Sequence, residues 1–131
     1  MEQPNILIVD DNKFNRIVLN CLLKQIGFNK INEAEDGQTA LDFIYRFSEM
    51  KVVVLLDLMM PIMNGYEFMN RIKNNPDKFR NVKILIQSGI GGSDLYKIKL
   101  DEQVVDFIEK PILLDVLREK MSQVLIFEQC D

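Results

Sequence analysis

The chain has 131 residues, 47% of them apolar and 27% charged, which fits one globular domain with a core of its own. A net charge of −4 offers no basic face to nucleic acid or an anionic membrane, and no apolar run approaches the roughly 20 residues that span a bilayer. There is no histidine, which removes the commonest general base, the usual zinc ligand and any phosphohistidine of the chain's own.

Asn5-Ile6-Leu7-Ile8-Val9 is a short apolar run that stops at two carboxylates, Asp10 and Asp11. The N-terminus enters this strand directly, without the pattern of a signal peptide. A helix follows, and its spacing places Phe14, Ile17, Val18, Cys21 and Leu22 on the face expected to be buried. Asp11 or Asn12 can cap its start and Gly27 its end. Cys21 and Cys130 make no disulfide framework and are expected to be reduced thiols in a cytosolic setting. Lys30-Ile31-Asn32-Glu33-Ala34 reads as a second strand, polar enough to lie near an edge. Asp36-Gly37 turns into a second helix carrying Ala40, Leu41, Ile44 and Phe47.

Val52-Val53-Val54-Leu55-Leu56 is the strongest strand, apolar throughout and rich in β-branched residues, as in a strand buried on both faces. It stops at Asp57. Pro61 cannot continue a sheet ladder, and Asn64-Gly65-Tyr66-Glu67 has the spacing of a helix cap. A third helix then buries Phe68, Met69 and Ile72 and ends at Asn74-Asn75-Pro76-Asp77. Val82 to Gln87 is a fourth strand, ending at Ser88, and Gly89, Gly91 and Gly92 make the next connection permissive. A short, weakly amphipathic helix is expected near Ser93 to Glu102, with Leu95 and Ile98 to bury. Val104 to Ile108 is the fifth strand, ending near Lys110-Pro111. The last helix carries Leu114, Leu117, Met121, Val124 and Leu125 on one face.

Strand and helix alternate five times, (βα)5, which demands a doubly wound α/β fold with a parallel sheet and right-handed crossovers. Five such strands suit the flavodoxin-like order 2-1-3-4-5, in one domain over residues 1–131. In that sheet Asp10 and Asp11, Asp57, Ser88 and Lys110 all come from strand ends on one edge, where ligands of open α/β sheets bind. Taken singly, each has a plainer reading as cap, turn residue or surface lysine. Their joint placement at the strand ends makes a shared site the better reading. Three converging carboxylates would repel, and at least one is expected to hold its proton more tightly than usual. Mg²⁺ resolves that conflict, since it takes carboxylate oxygens and often contacts phosphate. Asp57 can then act as a nucleophile toward phosphorus, with Lys110 and Ser88 meeting the transferred oxygens.

Val9-Asp10-Asp11-Asn12, the run from Asp57 to Gly65, Ser88 and Lys110-Pro111 together resemble a response-regulator receiver domain, over about Ile6 to Leu125. The resemblance implies that Asp57 is the phosphoacceptor and that Asp10, Asp11, Asp57 and the Met59 carbonyl hold Mg²⁺. It makes Lys110 the phosphate-contacting lysine, before a Pro111 peptide that is typically cis. Ser88 corresponds to the switch hydroxyl and Phe107 to the aromatic that moves with it. Met59 and Ile90 stand at the positions that control dephosphorylation, and both are apolar, which implies a slow loss of phosphate. The chain departs from the family pattern in Ser88-Gly89, in Phe107 where tyrosine is frequent, and in the loose Gly89-Ile90-Gly91-Gly92 connection. The opening from Asp10 to Arg16 is similar to receivers of hybrid histidine kinases, so an excised receiver is as plausible as a free-standing one.

The function so implied is a cytoplasmic phosphoacceptor signalling domain of a two-component system or phosphorelay. It would catalyse only its own phosphorylation and dephosphorylation. Its donor is a partner's phosphohistidine, on a histidine kinase or a histidine phosphotransfer protein. Output is expected on the face formed by the 93–102 helix, the fifth strand and the last helix, Tyr96 and Lys97 included. A receiver-like scaffold that no longer cycles phosphate is the alternative. A phosphatase of the haloacid-dehalogenase type is disfavoured, because its nucleophile belongs on the first strand in an Asp-x-Asp pattern.

Overall fold

In the computed structural model the strand Val52–Asp57 (β3) lies at the centre of a five-stranded parallel sheet. The structure describes residues 3–47, 49–60, 62–89, 98, 101 and 103–129, with side chains as far as Leu125. The other strands are Asn5–Val9 (β1), Ile31–Ala34 (β2), Val82–Ser88 (β4) and Val104–Glu109 (β5), in the order β2-β1-β3-β4-β5. The helices are Lys13–Ile26 (α1), Gly37–Arg46 (α2), Gly65–Lys73 (α3) and Leu114–Gln129 (α4). The expected fold and strand order are those observed. The helix expected near Ser93 to Glu102 falls almost wholly outside the described residues.

Alternation along the strands sorts the core into two layers. Leu7, Val9, Val54, Leu56, Ile84 and Ile86 face α2 and α3, where they meet Ala40, Leu41, Ile44, Phe68, Met69 and Ile72. Ile6, Ile8, Val53, Leu55 and Leu85 face the opposite way, toward Leu19 and Leu23 of α1 and Leu117, Met121 and Val124 of α4. Every residue of β3 is buried, as a strand covered on both faces requires. The polar strand β2 takes an edge, and of its residues only Ala34 is fully buried.

The apolar face expected for α1 is corrected. Leu19 and Leu23 are buried, whereas Phe14 is 71% exposed, Ile17 is 49% exposed and Cys21 is exposed. Apolar residues cover most of this helix's circumference, so periodicity admits two stripes and cannot choose between them. Docking chooses: Asn12 caps α1 immediately after the strand tip, and the first turn, with Phe14, stands clear of the sheet. Phe47, expected inside α2's face, is instead its C-cap residue and 38% exposed.

Candidate active site at the carboxyl edge of the sheet

Register brings the strand ends level. Val9 pairs with Leu56, Asp57 with Gln87 and Ser88 with Glu109, so the residues that follow β1, β3 and β5 emerge on one edge. Asp10 is completely buried there, and Asp57 and Ser88 nearly so, while Asp11 is exposed. One oxygen each from Asp10, Asp11 and Asp57 can be chosen so that all lie within 4.8 Å of one another.

Backbone and side-chain bonds hold each group in place. Asp10 Oδ1 accepts from the Asn12 N–H at 2.9 Å, and Asp57 Oδ1 accepts from the Met59 N–H at 3.2 Å. Lys110 reaches back across the edge, its Nζ 3.3 Å from Asp10 Oδ2 and 3.6 Å from Asp57 Oδ2. The Lys110 N–H donates to the Ser88 carbonyl at 2.6 Å, which ties this residue to the end of β4. The Lys110-Pro111 peptide is cis. Lys110 is therefore no solvated surface lysine; its side chain is 25% exposed and ion-paired twice.

Asp57 holds its proton more tightly than an ordinary carboxylate. Repulsion from neighbouring carboxylates was the expected reason, but the order of causes differs. Burial raises the pKa most; Lys110 and the Met59 N–H oppose it, and Asp10 and Asp11 add smaller upward contributions.

Lys110 alone cannot neutralise three carboxylates. The hard, all-oxygen donor set, drawn together at a partly desolvated edge, fits Mg²⁺, which is content with one or two carboxylates and keeps waters. Nothing in that set suits a soft metal.

The family model for the response regulator receiver domain matches residues 6–122. The chain belongs to this receiver family. A chemotaxis protein CheY homolog of Campylobacter jejuni is 31% identical over 120 residues, covering 92% of this receiver and 91% of that protein. A cyclic di-GMP phosphodiesterase of Thermotoga maritima is 35% identical, and the 3',5'-cyclic-nucleotide phosphodiesterase regA of Dictyostelium discoideum 32% identical. The receiver spans 30% of the length of the first and 15% of the second. A CheY-like receiver domain protein from Methanospirillum hungatei superposes with a TM-score of 0.81 at 31% identity, over 97% of this chain and 98% of that one. Receivers of this kind work in two-component signalling, with histidine kinases or phosphotransfer proteins and an output.

Asp10, Asp11, Asp57, Ser88 and Lys110 thus come together at the edge where the sequence placed them. Met59 contributes its N–H to Asp57, and its side chain is 77% exposed. Phe107 is half-buried against the core layer beneath α2 and α3. Ile90, Tyr96 and Lys97 lie outside the described residues. Two features escaped the sequence reading. Gln87, next to Ser88, is buried and donates from Nε2 to the Leu55 carbonyl at 3.0 Å, and its Oε1 finds no partner among the described residues. Arg16 donates to the Asp10 carbonyl from within α1. A polar residue ending an apolar strand was the visible signal for the first; Arg16 stood at the end of the Asp10-to-Arg16 opening, but its contact depends on how α1 docks.

Proposed function

We propose that residues 1–131 form one receiver that takes a phosphoryl group onto Asp57 from a phosphohistidine of a partner kinase or phosphotransfer protein. The observation that carries this reading is Lys110 bridging Asp10 and Asp57 beside a third carboxylate. An Asp57 oxygen attacks phosphorus, the P–N bond breaks, and its electron pair returns to the partner's imidazole. Lys110, with its ammonium already at this oxygen, takes a phosphoryl oxygen as its counter-ion. The Ser88 hydroxyl hydrogen-bonds another, and its shift lets Phe107 move. Asp10, Asp11, Asp57 and the Met59 carbonyl would hold Mg²⁺, which would supply charge neutralisation for the transferred group.

In this reading the domain acts on no substrate but its own Asp57, and it works in the cytoplasm. The exposed, apolar Met59 offers a hydrolytic water no hydrogen bond, and with Ile90 it favours a long-lived phosphoryl group. Output runs through the face that includes β5 and α4. Incubation with Mg²⁺ and a small phosphodonor, followed by intact mass, tests the core of this. The expected result is a gain of one phosphoryl that is lost in Asp57→Asn. No gain in the wild type would leave only a receiver-like scaffold.

A further inference from the structure

Arg16 takes no part in the chemistry above, yet it closes on the residue where the site begins. Its side chain is only 14% exposed. Nη1 donates to the Asp10 carbonyl at 2.8 Å and Nε to Glu33 Oε1 at 3.1 Å, while Asn20 Nδ2 donates to Glu33 Oε2 at 3.2 Å. α1, the edge strand β2 and the tip of β1 are thereby joined through one guanidinium, whose contact on β1 is the carbonyl of the peptide between Asp10 and Asp11.

That peptide sets the aim of the acidic pair. Asp10 is already anchored by its N–H to the Ala34 carbonyl at 3.1 Å and by Oδ1 to the Asn12 N–H. Asp11 is exposed, so burial does not hold its side chain. Its direction relative to Asp57 follows from the plane of the peptide that precedes it, and the guanidinium holds that plane by its carbonyl. Glu33 and Asn20 in turn hold the guanidinium, a fork that lysine cannot reproduce.

We propose that Arg16 is a positioning residue for the divalent-cation site, presenting Asp10 and Asp11 in ligating geometry before the ion arrives. The inference rests on the reading of Asp10, Asp11 and Asp57 as Mg²⁺ ligands. A rival role makes the opposite prediction. A guanidinium at the Asp10 backbone opposes nearby cation binding by simple Coulomb repulsion, so a residue acting only through charge would, when removed, tighten Mg²⁺ binding.

Titration with Mg²⁺ alone, followed by NMR at a temperature where every variant is folded, separates the two. Arg16→Ala and the charge-conserving Arg16→Lys are expected to weaken Mg²⁺ binding by about ten-fold, and Glu33→Gln by less. Unchanged or tighter binding in Arg16→Ala would overturn the proposal. If Arg16→Ala does not fold, unchanged affinity in both Arg16→Lys and Glu33→Gln overturns it equally. Failure of the underlying reading looks different: the wild type would not bind Mg²⁺, or Asp11→Ala would bind it as well as the wild type does.

Discussion

Asp57 is a carboxylate whose ionised form the fold disfavours. Burial raises its pKa above the ordinary 3.8, and Lys110 and the Met59 N–H offset only part of that. An acid whose folded pKa lies above its unfolded value binds more protons folded than unfolded in the interval between the two. Stability therefore falls as pH rises above about 3.8, and the loss is complete once the pH has passed the folded pKa. Replacing Asp57 with the isosteric, uncharged Asn removes the loss and keeps an acceptor for the Met59 N–H. Metal-free Asp57→Asn is expected to melt at a higher temperature than the wild type at pH 7, with the advantage vanishing below about pH 4. Thermal unfolding in a chelator at both pH values is the measurement. A lower melting temperature for the variant at pH 7 would mean that the pair with Lys110 outweighs burial.

The loop after β3 is held by two glycines that nothing larger could replace, Gly65 at its end and Gly37 of α2 against Met63. The Gly65 N–H donates to the Leu58 carbonyl at 3.0 Å, and a Cβ on Gly65 would sit 2.8 Å from the Asp57 carbonyl. The Gly37 N–H, at the start of α2, donates to the Met63 carbonyl at 3.2 Å, and a Cβ there would meet Met63 at 2.8 Å. Between these fixed points Ile62 adopts φ of 66°. A β-branched residue in the left-handed region is strained by about 1–3 kcal/mol, and at 82% exposure Ile62 gains little packing in return. Asn tolerates this conformation. Ile62→Asn is expected to stabilise the protein by about 1 kcal/mol in urea unfolding at unchanged m-value. A destabilised variant would show that the Ile62 side chain has a packing role its exposure conceals.

At the scale of the whole molecule, the sheet brings together groups that the chain keeps far apart. Lys110 and Asp10 are separated by 100 positions and meet at 3.3 Å. A cation bound by residues from two strand ends binds the folded chain and not the unfolded one, so it stabilises the whole domain by mass action. At 100 times its dissociation constant the gain is about 2.7 kcal/mol. Mg²⁺ is therefore expected to raise the melting temperature of the wild type, whereas Asp11→Ala, whose exposed side chain caps nothing, should be as stable as the wild type in a chelator and gain nothing from the ion. Asn12 is the cap of α1, which leaves Asp11 free for this role. An Asp11→Ala protein that melts early without metal would make Asp11 structural instead.

The strands and the residues at their ends were legible because both depend on local pattern, and the order followed from the fold that five alternating strands suit. Apolar runs that stop at Asp10, Asp57 and Ser88 say where strands end, and strict βα alternation leaves a parallel sheet whose ends share one edge. The Asn64 cap and the α3 face at Phe68, Met69 and Ile72 are equally local, being set by helical spacing. Tertiary docking decided the rest. The face of α1 was ambiguous because apolar side chains surround it, and only its seat on the sheet buries Leu19 and Leu23 and frees Phe14. The same seat carries Arg16 to the Asp10 carbonyl and Glu33, a contact between three elements that no spacing encodes. The proton affinity of Asp57 followed the same division: sequence supplied the neighbouring carboxylates, but burial, a property of the packed chain, dominates the shift.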